Sequence, residues 1–129
     1  MEGDNKTILI IEDEPQQREA LQTAFERGGY RVEVAADGDE GLRKVREHMP
    51  CVVLLDLLMP VLDGFAFLEA LNGDAALKRI PVVVLTNLTE REKTKAAMDP
   101  AKDYFFTKTN HTLEDIVGKV KHVCLRGDS

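Results

Sequence analysis

Four short apolar runs each end on a polar residue, and this pattern restricts the fold more than any other feature of the chain. The runs are Ile8-Leu9-Ile10-Ile11 before Glu12-Asp13-Glu14, Cys51-Val52-Val53-Leu54-Leu55 before Asp56, Val82-Val83-Val84-Leu85 before Thr86, and Tyr104-Phe105-Phe106-Thr107 before Lys108. Continuous apolar runs of this length suit strands buried on both faces of a sheet. A carboxylate such as Asp56, at the end of such a strand, must be exposed, paired or bound to a cation.

Helical patterns separate the runs. The first helix follows Glu14-Pro15, where proline suits a first turn, and carries Ala20, Leu21, Ala24 and Phe25 on one face; Gly28-Gly29 stops it. Tyr30 to Ala35 alternates Val32 and Val34 with Arg31 and Glu33, the mark of a half-exposed edge strand. Asp37, with Glu40 three residues on, forms a capping-box pattern for a second helix with Leu42, Val45 and Met49 as its apolar face. Asp63-Gly64 introduces a third helix with Phe65, Leu68 and Leu71, and Asn72-Gly73-Asp74 is a turn signal. A charged fourth helix is expected from Thr89, paired with Glu92, to about Met98. The last helix starts near Thr112 with Leu113, Ile116, Val117, Val120 and Val123 at helical spacing.

Strands alternating with helices through short connections imply a parallel sheet covered on both faces. The expected fold is α/β, a flavodoxin-like (βα)5 doubly wound parallel five-stranded sheet of order 2-1-3-4-5. That order sets the alternating second strand at an edge and opens a topological switch between strands one and three, where ligands bind. Asp13 and Asp56 follow those strands, with Glu12 beside them. Like charges this close call for a cation, and oxygen-only ligands in a small open site suit Mg2+ with bound waters. An ionised aspartate is a covalent acceptor of phosphoryl groups. Lys108 can pair with phosphoryl oxygens as a point charge, and Thr86 can donate its hydroxyl to another. Taken singly, Glu12-Asp13-Glu14 also reads as an acidic helix start, Lys108 as a surface lysine and Thr86 as a turn cap. Their shared register favours the site.

The 129 residues match one domain, expected over 1–129 with an ordered core about 6–125. A net charge of -6 opposes nucleic-acid binding by this chain alone. No apolar run nears the ~20 residues of a membrane span, and the start lacks signal-peptide features, so a cytoplasmic protein is expected. Cys51 and Cys124 have no metal spacing and are expected to be packed free thiols. His48, His111 and His122 show no ligand spacing and are expected at the surface.

The quoted motifs together, Ile10-Ile11-Glu12-Asp13-Glu14-Pro15, Leu55-Asp56-Leu57-Leu58-Met59-Pro60 with Asp63-Gly64, Leu85-Thr86 and Tyr104-Phe105-Phe106-Thr107-Lys108, resemble the response-regulator receiver domain of two-component signalling over nearly the whole chain. The resemblance implies a stand-alone phosphoacceptor module of a two-component or phosphorelay system. Asp56 would take its phosphoryl group from a phosphohistidine on a sensor histidine kinase or phosphotransfer protein. Asp13, Asp56 and the backbone carbonyl of Leu58 would ligate Mg2+, with Glu12 acting through a metal-bound water. Thr86 and Lys108 would contact the phosphoryl group, and Thr86 with Phe105 would switch a surface of the fourth helix, fifth strand and last helix toward a downstream protein target. Such a module is no enzyme beyond its own phosphorylation and dephosphorylation, and is expected to be a monomer or weak homodimer off the membrane.

The chain departs from the family pattern in places. Thr109 stands where the family usually has proline, Asn87 replaces a small residue, and Asp99-Pro100-Ala101 lacks the common glycine. Phe105 lacks a phenol. Leu58 and Leu88 are apolar near the expected attacking water, which implies slow self-dephosphorylation. A degenerate receiver serving as a phosphorylation-independent scaffold is the alternative: Asn87 and Thr109 keep it open, and intact Asp13, Asp56, Thr86 and Lys108 weigh against it. A phosphatase using an aspartyl-phosphate would place an acid where Leu58 stands. A dinucleotide or flavin protein would need a glycine loop where Glu12-Asp13-Glu14-Pro15 lies.

Overall fold

The computed structural model describes residues 6–56, 64–86, 98–107 and 112–127. Five strands form one sheet: β1 (Thr7–Ile11), β2 (Arg31–Ala35), β3 (Val52–Asp56), β4 (Val82–Thr86) and β5 (Tyr104–Thr107). All neighbours pair in parallel, in the order β2-β1-β3-β4-β5. The described helices are α1 (Pro15–Arg27), α2 (Gly38–His48), α3 (Gly64–Asn72) and a C-terminal helix (Leu113–Gly127). The expected helix from Thr89 to about Met98 lies outside the described residues, Met98 apart.

Alternation along each strand divides the core in two. Leu9, Ile11, Val53, Leu55, Val82 and Val84 face α2 and α3, against Val45, Phe67, Leu68 and Leu71. Ile8, Ile10, Val52, Leu54, Val83 and Leu85 face α1 and the C-terminal helix, against Leu21, Phe25, Ile116, Val120 and Val123. Every residue of β3 is buried, as its continuous apolar run requires, whereas β2 is exposed or half-buried up to Ala35.

The helix starts follow their capping signals. Glu14 Oε1 accepts from the Gln17 amide at 2.9 Å, with Pro15 opening α1. At α2, Asp37 Oδ1 accepts from the Glu40 amide at 2.8 Å and Glu40 Oε1 accepts from Ala36 N at 2.9 Å. Thr112 and Asp115 close the same kind of box at the C-terminal helix, side chain to amide in both directions.

Several expectations are corrected. β5, read as buried on both faces, is half-buried at Tyr104, Phe105 and Phe106 because it forms the other edge of the sheet, and Leu113, expected on the apolar stripe of the last helix, is exposed in its first turn. Met49 does not join the apolar face of α2: it caps the helix in the left-handed region (φ 45°) and is exposed, because that backbone turns its side chain off the helical stripe. In α3 the deeply buried aromatic is Phe67, while Phe65 is only half-buried. Cys51 and Cys124 are not free thiols but a disulfide across 73 residues, with Cα atoms 5.0 Å apart. Cys51 immediately precedes β3 and Cys124 lies on the buried face of the C-terminal helix, so docking that helix on the sheet brings the two sulfurs within bonding distance.

Gly41 marks the closest approach of α2 to the sheet. A Cβ there would lie 2.5 Å from Ile11 Cδ1 and 3.3 Å from Phe67 Cε1, and both side chains are fully packed. Gly41→Ala is expected to lose about 1–3 kcal/mol through overpacking, despite alanine's better helix propensity. Urea denaturation checks this, and a variant as stable as the parent would show that Ile11 has room to rotate.

Candidate phosphoacceptor site

α1, which follows β1, covers one face of the sheet, and α3, which follows β3, covers the other. The helices that follow two adjacent strands therefore lie on opposite faces, the arrangement in which the carboxyl ends of such strands bind ligands. Ile11 pairs with Leu55, so Glu12 leaves β1 level with Asp56, and Asp13 follows one residue later. Glu12 and Asp56 are each 1% exposed and Asp13 is half-buried. Two buried carboxylates at one sheet edge are costly unless a cation or donors meet them.

The β1–α1 turn is fastened by its own residues. The Glu12 amide donates to Ala35 O at 3.0 Å, and Glu12 Oε2 accepts from the Glu14 amide at 3.0 Å. Arg18, one turn into α1, reaches back to donate from Nη1 to the Glu12 carbonyl at 3.0 Å. The acidic turn is thus clamped from the edge strand, from within and from the helix. Arg18 was not among the residues singled out from the sequence; its place one helical turn beyond an acidic strand end was the available signal.

Thr86 closes β4, one residue beyond the Asp56–Leu85 pair, so its backbone reaches the same edge as Asp56. Thr86 also pairs with Thr107, the last residue of β5. Phe105 is half-buried, in register with Val84. Lys108 and Leu58 lie outside the described residues, as do Asn87, Leu88 and Thr109. The structure therefore brings Glu12, Asp13, Asp56 and the end of β4 to one edge. Among the described residues no three Asp, Glu, His or Cys side chains form a metal-holding group by themselves. The donor chemistry of two carboxylates from adjacent strands still suits a hard cation completed by carbonyl and water oxygens.

Residues 8–121 match the model of the response regulator receiver domain. The chain belongs to that family. Protein PilH of Pseudomonas aeruginosa is 36% identical over 98 residues, which cover 75% of this chain and 81% of PilH. The receiver domain of a signal transduction histidine kinase from Syntrophus aciditrophicus is 32% identical, with a TM-score of 0.81, over 94% of this chain and 91% of that one. The receiver domain of sensor histidine kinase PA1611 from Pseudomonas aeruginosa PAO1 shares the fold at 24% identity and a TM-score of 0.78, over 93% of this chain and 98% of that one. That domain holds a magnesium ion coordinated in its active-site cleft. This receiver domain spans about half or less of the length of several curated regulators it matches. Among its described residues no helix is long and apolar enough to cross a membrane.

Proposed function

We propose that this receiver domain is a phosphoacceptor of a two-component or phosphorelay system, with Asp56 as the acceptor. The observation that carries the reading is Asp56 itself, a carboxylate buried at the carboxyl end of an interior strand and level with Glu12 leaving β1. A buried acid beside other acids is poor design for stability and suits a group held ready for chemistry.

An Asp56 carboxylate oxygen attacks the phosphorus of a phosphohistidine on a partner histidine kinase or phosphotransfer protein. The P–N bond breaks, and the imidazole leaves with the electron pair and takes a proton. Asp13, Asp56 and the Leu58 carbonyl would hold Mg2+, with Glu12 acting through a water. A bound Mg2+ supplies neutralisation of the charge gathering on the phosphoryl oxygens. Lys108 and the Thr86 hydroxyl would hold those oxygens, and Phe105 would respond to Thr86 by changing rotamer. The domain acts on no separate substrate, only on its own acylphosphate, and passes the change to a protein target.

Intact mass after exposure to a small-molecule phosphodonor tests the reading. The wild type should gain one phosphoryl group with magnesium and none without it, and Asp56→Asn should gain none in either case. A folded wild-type protein that stays unmodified with magnesium present would reject it. The half-life of the acylphosphate is a second readout. Leu58→Asn should shorten it by about tenfold, since a polar side chain there can orient the attacking water, and one net hydrogen bond of about 1.4 kcal/mol in the transition state is tenfold in rate. An unchanged half-life would remove Leu58 from the account.

A further inference from the structure

The Cys51–Cys124 disulfide lies outside the acid site, at the opposite edge of the sheet. Cys51 precedes β3, and its amide donates to Thr7 O at 2.9 Å at the amino end of the sheet. Asp56 closes the same strand five residues later, about 17 Å away at the usual strand rise. Cys124 sits beside Val120 and Val123 on the buried face of the C-terminal helix. The bond therefore fastens the end of that helix to the strand that carries the acceptor, at the end remote from the chemistry.

We propose that Cys51–Cys124 is a reversible redox site, opened by a dithiol reductant and closed by a disulfide oxidant, which releases the end of the C-terminal helix from β3 and leaves the acid turn in place. The surroundings suit both states. The sulfurs lie in an apolar cluster with Ile8, Ile10, Phe25 and Val52, where a pair of packed thiols is as well accommodated as a disulfide. The bond is closed to solvent in the folded protein, with Cys51 7% and Cys124 2% exposed. Leu125, next to Cys124, is 65% exposed in the last turn of the helix. Opening of that turn gives a thiolate its way in, and helix ends open first.

Once the helix end opens, exchange runs through Cys51, the less buried of the two residues. A reductant thiolate attacks Cys51 Sγ, the S–S bond breaks, and Cys124 leaves as a thiolate and takes a proton. The second thiol of the reductant, deprotonated, then attacks its own sulfur in the mixed disulfide and expels Cys51, which is protonated in turn. Two electrons pass from the dithiol to the protein, leaving two protein thiols and one reductant disulfide. A disulfide oxidant such as glutathione disulfide reverses the sequence.

The test uses the whole chain, oxidised with glutathione disulfide and then reduced with dithiothreitol. Alkylation under denaturing conditions, read by intact mass, should label neither cysteine of the oxidised protein and both of the reduced one. In short hydrogen-exchange pulses, amides in the last turns of the C-terminal helix should exchange on the order of tenfold faster after reduction, while β1 and β3 stay protected. Cys51→Ala/Cys124→Ala should behave as the reduced protein and ignore dithiothreitol. Alkylation of both cysteines after oxidation would overturn the proposal. So would equal exchange in the two redox states, an opening that spreads through β1 and β3 in the same pulses, or a response of the double variant to reductant.

Discussion

Asp103→Ala is expected to lose about 3–5 kcal/mol of stability, the cost of removing one partner from a buried ion pair. The Asp103 side chain has no exposed surface. Its Oδ1 accepts from the Val82 amide at 2.9 Å and from Lys102 Nζ at 2.6 Å. Its Oδ2 accepts from the Asp99 amide at 2.9 Å and from Asn72 Nδ2 at 3.2 Å. One carboxylate thereby ties the start of β4, the end of α3 and the turn before β5. Alanine would strand a buried strand amide and a mostly buried ammonium, and each unsatisfied donor costs about 1–3 kcal/mol. In urea the midpoint should fall with the slope unchanged, because folded packing is lost and the unfolded chain is not altered. Asp103→Asn keeps an acceptor for the Val82 amide and should fall between the two. A loss in Asp103→Ala within about 0.5 kcal/mol, the range of an ordinary surface change, would mean that water replaces the carboxylate.

The same residue shows where reading the sequence stops. β1, β3 and β4 are legible because a strand buried on both faces must be apolar at every position, and Ile8 to Ile11, Val52 to Leu55 and Val82 to Leu85 are. β2 is legible as an edge because Arg31 and Glu33 alternate with Val32 and Val34. Asp56 and Glu12 stand out because a carboxylate at the end of such a run has no bland explanation that also accounts for the other. Asp103 gives no such signal. Its partners lie 21 and 31 residues away at Val82 and Asn72, and an acid before a strand is ordinary in a turn. Spacing from Leu68 and Leu71 likewise favours Phe65 on the short third helix, and only docking on Gly41 and β1 selects Phe67. The expectation of free thiols failed for a related reason. It rested on the rarity of disulfides in reducing compartments, a statement about surroundings, whereas the pairing follows from where the last helix lands.

Removing the disulfide should have an effect of comparable size and different character. Closing a loop of 73 residues restricts the unfolded chain by roughly 4 kcal/mol on loop-entropy grounds. Cys51→Ala/Cys124→Ala is expected to lose most of that, with a fall in Tm on the order of 10 °C. Its signature separates it from Asp103→Ala. The freed unfolded chain exposes more surface, so the urea slope should rise while the midpoint falls. The folded state loses order only at the end of the C-terminal helix, because two alanines leave small gaps in a cluster still closed by Phe25, Val52, Val120 and Val123. A double variant with the parent's slope and midpoint would mean that Cys51 and Cys124 are not joined in solution, whatever their proximity. A lower midpoint with an unchanged slope would instead assign the loss to packing around the sulfurs. The two measurements together thus distinguish a bond that acts on the unfolded ensemble from side chains that act only by filling space.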